Sequence, residues 1–78
     1  MEGNKNTWDE QVIKAVWRKG RINPDFSPDV LRWDRNGHVM MWSEYGRKDS
    51  KFGWGIKAGD GVKNIENLQP LNLWYENR

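Results

Sequence analysis

Few side chains in this sequence could do chemistry. His38 is the single histidine and cysteine is absent. That excludes a two-histidine metal site, a thiolate site, a thiol nucleophile and a disulfide scaffold. His38 follows a turn signal and reads as an exposed or half-satisfied side chain at the start of a strand rather than a catalytic base. Asp60, between Gly59 and Gly61, reads as a turn residue in preference to a metal ligand. The glycines at 53, 55, 59 and 61 lack the G-x-x-x-x-G-K spacing of a phosphate-cradling loop. One cluster has a chemical direction: Arg47, Lys48, Lys51 and Lys57, accompanied only by Asp49. Such a basic stretch suits phosphate contact, and it suits a solvated hairpin loop equally well.

The chain that must position these groups has 78 residues, with a formal net charge of only +2. A domain of this size buries about 60% of its unfolded surface. Its core must therefore come from large side chains, here six Trp, two Tyr and two Phe in a sequence that is 36% hydrophobic. Each buried aromatic ring hides roughly 150–250 Å². Six tryptophans are many for one small core, so most are expected in the core and one or two partly exposed. An exposed Trp would either stack nucleobases beside the basic cluster or serve as the hot spot of a protein interface. No apolar run approaches membrane-spanning length, and the first residues do not read as a secretory signal. The expectation is a cytoplasmic protein with no membrane association.

The elements follow from pattern. Thr7 and Glu10 form a capping box ahead of a helix over 8–19, which leaves 1–6 as a loose tail. Trp8, Val12, Ala15 and Val16 mark one helical face, and Gly20 ends it. Residues 20–30 read as a connecting loop with Phe26 docked on the core. Arg35-Asn36-Gly37 predicts a tight turn. A strand over 38–45, a polar loop over 46–50 and a second strand over 52–57 then form a twisted hairpin, with Phe52, Trp54 and Ile56 on one face. Glycines inside that second strand predict a close backbone approach. After a turn at 59–61, Pro70 forbids one continuous helix. The reading there is a short turn at 64–67, an extended LQPL segment at 68–71 and a helical turn at 72–78. The sequence thus predicts one α+β domain over 1–78.

Three motifs in order, SEYG at 43–46, GWGI at 53–56 and NLQPL at 67–71, together with VIKAVWRKGR at 12–21, resemble the HNH nuclease family with its ββα-metal fold. The resemblance spans residues 8–77. It implies hydrolysis of nucleic-acid phosphodiesters at one divalent metal, with an Asp ligand and a His general base directly after the GW-x-I strand. It also implies a structural Asn in the NLQPL segment and a later Asn or His ligand from a helix. Trp54 and Asn67 match the pattern, and Asn77 is the candidate for the later ligand, although Glu76 holds the usual spacing. The Asp position, however, is Lys57 and the His position is Ala58. An ammonium repels Mg²⁺, which takes hard oxygen ligands, and Ala moves no proton. The loop before NLQPL is shorter than the family's, and the family helix continues past the position of Arg78. The resemblance therefore implies an HNH-like scaffold with no catalytic residue, no metal and no cofactor.

The leading expectation is a non-catalytic module that binds nucleic acid, DNA in preference to RNA, through Arg47, Lys48, Lys51 and Lys57. The alternatives are a protein-interaction or inhibitor module, for example phage-encoded, that uses an exposed Trp, and an engineered, disarmed HNH scaffold. A homodimer that completes the C-terminal helix is a further expectation.

Overall fold

The structure, a computed structural model, describes residues 8–58 and 65–76. Helix α1 runs over Glu10–Trp17, shorter than the 8–19 expected. Its N-cap is Asp9 rather than Thr7, the Asp9 carboxylate accepting from the Gln11 N–H at 3.1 Å. Asp outranks Thr at this position, so the capping box yields to the stronger cap and Trp8 falls outside the helix. The expected tail at 1–6 lies outside the described residues. At the other end Lys19 N–H and Gly20 N–H reach back three residues, to the Val16 and Trp17 carbonyls, which tightens and ends the helix. Arg32 reaches over from the next element, donating to the carbonyls of Arg18, Gly20 and Pro28.

Two antiparallel hairpins follow, so the α+β class holds while the strand pairing differs from expectation. Strand β1 (Leu31–Trp33) pairs with β2 (Val39–Met41) across the Arg35-Asn36-Gly37 turn, where Gly37 takes φ +85°. The expected strand over 38–45 is cut to three residues, because a 3₁₀ turn at Trp42–Glu44 lifts the chain from the first sheet to the second. There Tyr45 bridges to Trp54 and the Gly46 N–H donates to the Trp54 carbonyl at 2.8 Å.

Strand β3 (Trp54–Ala58) pairs not with 38–45 but with β4 (Leu68–Asn72), in the register Trp54↔Asn72 to Ala58↔Leu68. A 3₁₀ turn at Ile65–Asn67 precedes β4, and a four-residue helix α2 (Leu73–Glu76) follows it. Pro70 sits opposite Ile56, and because this sheet has only two strands its missing N–H removes no bond to a third one.

The core is aromatic. Trp17, Met40 and Trp54 are its buried centre, with Ile13, Trp42, Tyr45 and Ile56 packed around them. The Trp54 ring lies 4.9 Å from Trp17, 4.9 Å from Tyr45 and 5.9 Å from Trp42. Val16, Leu68 and Leu71 are also buried. Phe26 is not docked on this core: it is 47% exposed and leans on Trp33 at 5.7 Å. Two proline-containing turns flank it and hold the 20–30 segment along the surface.

Candidate functional site

The basic loop over 46–53 is the element that gathers candidate binding residues. Its backbone is pinned on several sides. Arg47 N–H donates to the Glu44 carbonyl, Gly53 N–H to the Ser50 carbonyl and Leu73 N–H to the Gly53 carbonyl, while the Phe52 carbonyl accepts from Met41 N–H. Gly53 is where the loop closes on itself. A Cβ there would stand 1.6 Å from the Arg47 carbonyl oxygen, so only glycine fits. The close approach expected of a strand glycine is found at this position.

Beneath the loop lies a buried polar cluster that no sequence pattern announced. Asp34 and Asn72 are each 1% exposed. The Asp34 carboxylate accepts from the backbone N–H groups of Asn36, His38 and Asn72 at 2.9, 2.9 and 3.0 Å. The Asn72 amide donates to the Val39 and Lys51 carbonyls, both at 2.7 Å, and its oxygen accepts from Tyr75 N–H at 3.1 Å. One asparagine thus joins the first hairpin, the basic loop and the start of α2. Asn67, the family-matched position, makes no side-chain hydrogen bond to another described residue. Asn77 and Asp60 lie outside the described residues.

The four basic candidates separate. Arg47 pairs with Asp49 at 3.1 Å, and both side chains are exposed. That hydrogen bond raises the Arg47 pKa and holds the Asp49 carboxyl below the usual carboxylate range. Lys57 stands apart from the loop, on β3, and donates to Glu76 on α2. Lys48 and Lys51 have no acidic partner among the described residues. Between Lys51 and Gly53 lies Phe52, which was expected on the buried face with Trp54 and Ile56. It is instead in a turn and 40% exposed. The reason is local: the Phe52 N–H caps onto Ser50 Oγ at 3.1 Å, so β3 begins two residues later than the alternation suggests.

The tryptophans are not all buried, as expected, and more of them are partly exposed than the one or two anticipated. Trp17 and Trp54 are buried and Trp8, Trp33, Trp42 and Trp74 are half-buried. Among the described residues the exposed large apolar side chains are Ile22, Phe26, Val30, Phe52, Ile65 and Tyr75. His38 lies flat on Tyr75, with ring centroids 4.0 Å apart, and its Nδ1 is 3.8 Å from the Asp34 carboxylate, too far for a hydrogen bond. Among the described residues no three of His, Asp and Glu gather to hold a metal ion. No helix among them is long and apolar enough to cross a membrane.

A cavity of about 290 Å³ opens beside the loop, lined by Trp8, Tyr45, Gly46, Lys48, Gly55, Ile56 and Leu73. Burial raises the Tyr45 pKa, so its phenol stays neutral. Comparison with protein-family models, with curated proteins and with solved structures finds no match to this chain.

Proposed function

We propose that this chain is a non-catalytic, HNH-like module that binds nucleic acid, with the loop over 46–53 as its contact surface. The observation that supports this reading is the loop's content and rigidity together. Two ammonium groups with no acidic partner among the described residues, Lys48 and Lys51, flank a half-exposed Phe52 on a backbone fixed by hydrogen bonds. Cations track phosphates and an aromatic face stacks a base. A pre-fixed loop loses little conformational freedom on binding. Lys57 plays a smaller part than the sequence suggests, because Glu76 neutralises it.

The test is a titration of labelled duplex and single-stranded DNA at two salt concentrations, with and without Mg²⁺ or Mn²⁺, reading anisotropy and product size. Salt-dependent binding without cleavage is the expected result. Lys51→Glu should weaken it and flatten the salt slope by about one unit. Metal-dependent cleavage would sink the non-catalytic reading.

Glu76→Gln provides a gain-of-function control. Freed from its partner, Lys57 becomes a further cation on β3, outside the loop itself. Affinity at low salt should rise severalfold and the slope steepen by about one unit. An unchanged slope would place Lys57 outside the interface.

A second reading, a protein-interaction module, is favoured by the apolar group Ile22, Phe26 and Val30, which are 56%, 47% and 47% exposed along one connecting segment. Absence of DNA binding at low salt, with a salt-insensitive protein complex lost in Phe26→Ser, would select it.

A further inference from the structure

The cavity beside the loop is small, partly aromatic and incompletely satisfied. At about 290 Å³ it falls at the lower edge of the roughly 300–1,000 Å³ typical of small-molecule sites, room for one planar ring system and little more. Trp8 and Tyr45 supply aromatic surface, Ile56 and Leu73 aliphatic surface. At Gly55 the floor is bare backbone, where an added Cβ would meet the Leu73 methyls at 3.1 and 3.3 Å. Two polar groups belonging to the lining have no partner among the described residues. The Tyr45 hydroxyl makes no hydrogen bond to a described residue, although tyrosine hydroxyls with buried rings usually find one. The Lys48 ammonium is unpaired in the same way. Gly46, with φ +82°, belongs both to this lining and to the basic loop, so cavity and loop are contiguous.

We infer that this cavity receives one unstacked nucleobase of a single strand, with Lys48 on the phosphate of that nucleotide and Tyr45 hydrogen-bonding the base edge. The inference rests on the nucleic-acid reading and narrows it, because a base inside a duplex cannot enter. The shared chemistry, a planar base carrying a phosphate, is also that of a free mononucleotide, and the strand is preferred because the same loop carries a second ammonium, Lys51, for which a mononucleotide has no further phosphate. The other candidates fit less well. The groove of about 410 Å³ along Arg21, Ile22 and Trp33 lies at the far hairpin turn, away from the unpaired lysines. The cavity of about 240 Å³ beside Trp17 is smaller, and of its basic groups Lys14 is paired with Glu10 and Arg32 is committed to three carbonyls, which leaves Arg18 facing Asp29.

The test compares a short single strand, the same strand with one abasic nucleotide, a blunt duplex of equal length, and adenosine monophosphate as competitor. The wild-type protein and Trp8→Ala are measured side by side. Trp8 precedes the helix cap and lies outside the buried core cluster, and thermal melts check that the variant folds. The expected result is a preference of about tenfold for the intact single strand over both the abasic strand and the duplex. In Trp8→Ala that preference should vanish, while duplex affinity and the salt slope stay unchanged. The abasic strand keeps the experiment decisive even if Trp8→Ala is unstable, since it removes the base and leaves the protein intact. Equal affinity for intact strand, abasic strand and duplex would overturn the base cavity and leave the nucleic-acid reading standing. Displacement of the strand by adenosine monophosphate at comparable concentration would assign the cavity to free nucleotides and overturn the strand. No binding of any probe would overturn both readings.

Discussion

Asn72→Ala is expected to remove most of the protein's stability at 25 °C. The Asn72 side chain serves three backbone groups, the Val39 and Lys51 carbonyls and the Tyr75 N–H. Each buried group left without a partner costs about 1–3 kcal/mol. Water entering the vacated space recovers part of this, and a net loss of about 3–5 kcal/mol remains. Small domains have total stabilities of about 5–15 kcal/mol, and a chain this short sits at the low end. Urea titration of both proteins, followed by tryptophan fluorescence, measures the difference. Asn72→Asp separates two causes. It preserves volume and the acceptor for Tyr75 N–H, but it turns an oxygen on two carbonyls and adds a charge beside Asp34. If the donors matter, Asp is as damaging as Ala. If only the cavity matters, Asp behaves like the parent.

Trp54→Ala should cost a comparable amount, about 3–5 kcal/mol, by leaving a large cavity in a core that has little aliphatic material to collapse into it. Trp54 is fully buried and meets Trp17, Trp42 and Tyr45 in tilted or edge-on geometries. Such aromatic pairs are worth about 0.5–1.5 kcal/mol each beyond their buried area. Near-ultraviolet circular dichroism should lose most of its intensity in the variant, and the urea midpoint should move to low concentration. Trp54→Phe keeps a ring in the site and should retain a cooperative transition. A loss below about 1 kcal/mol for Trp54→Ala would mean that the tryptophan cluster does not hold the two hairpins together.

What could be read in the sequence was local. Gly37 after Arg35-Asn36 announced a turn with positive φ, Pro70 ruled out a helix and left an extended strand, and the terminal helical turn appeared where composition put it. Pairing could not be read, because it depends on segments far apart in the chain. Alternation made 38–45 look like one strand whose partner was the next one. Yet the tight turn already implied a strand on its other side, and Leu31–Trp33 is that strand. Phe52 misled for a related reason: alternation with Trp54 and Ile56 cannot detect a Ser50 hydroxyl that holds its N–H in a turn. Asp34 and Asn72 were invisible as a pair, since either alone has the profile of an exposed turn residue. Asp34 did leave a faint signal, standing two residues before Asn36 in the position of an Asx turn. At the candidate site, the lysines were legible as charge. Which of them is free depends on Asp49 and Glu76, and only the fold brings Glu76 to Lys57.

The position of β4 constrains how the protein is made. Hairpin β1–β2 uses neighbouring residues and forms as soon as both strands exist. Trp54, the centre of the core, lies on a strand whose ladder partner among the described residues is Leu68–Asn72, and the basic loop is held by Asn72 from the same segment. A nascent chain translated only as far as residue 67 therefore carries an open β3 edge and an unshielded indole. It offers proteases a loose 46–53 segment and offers other chains an edge to pair with. The first hairpin is therefore available early, while the second hairpin and the anchoring of the 46–53 loop wait for Leu68–Asn72 to be made.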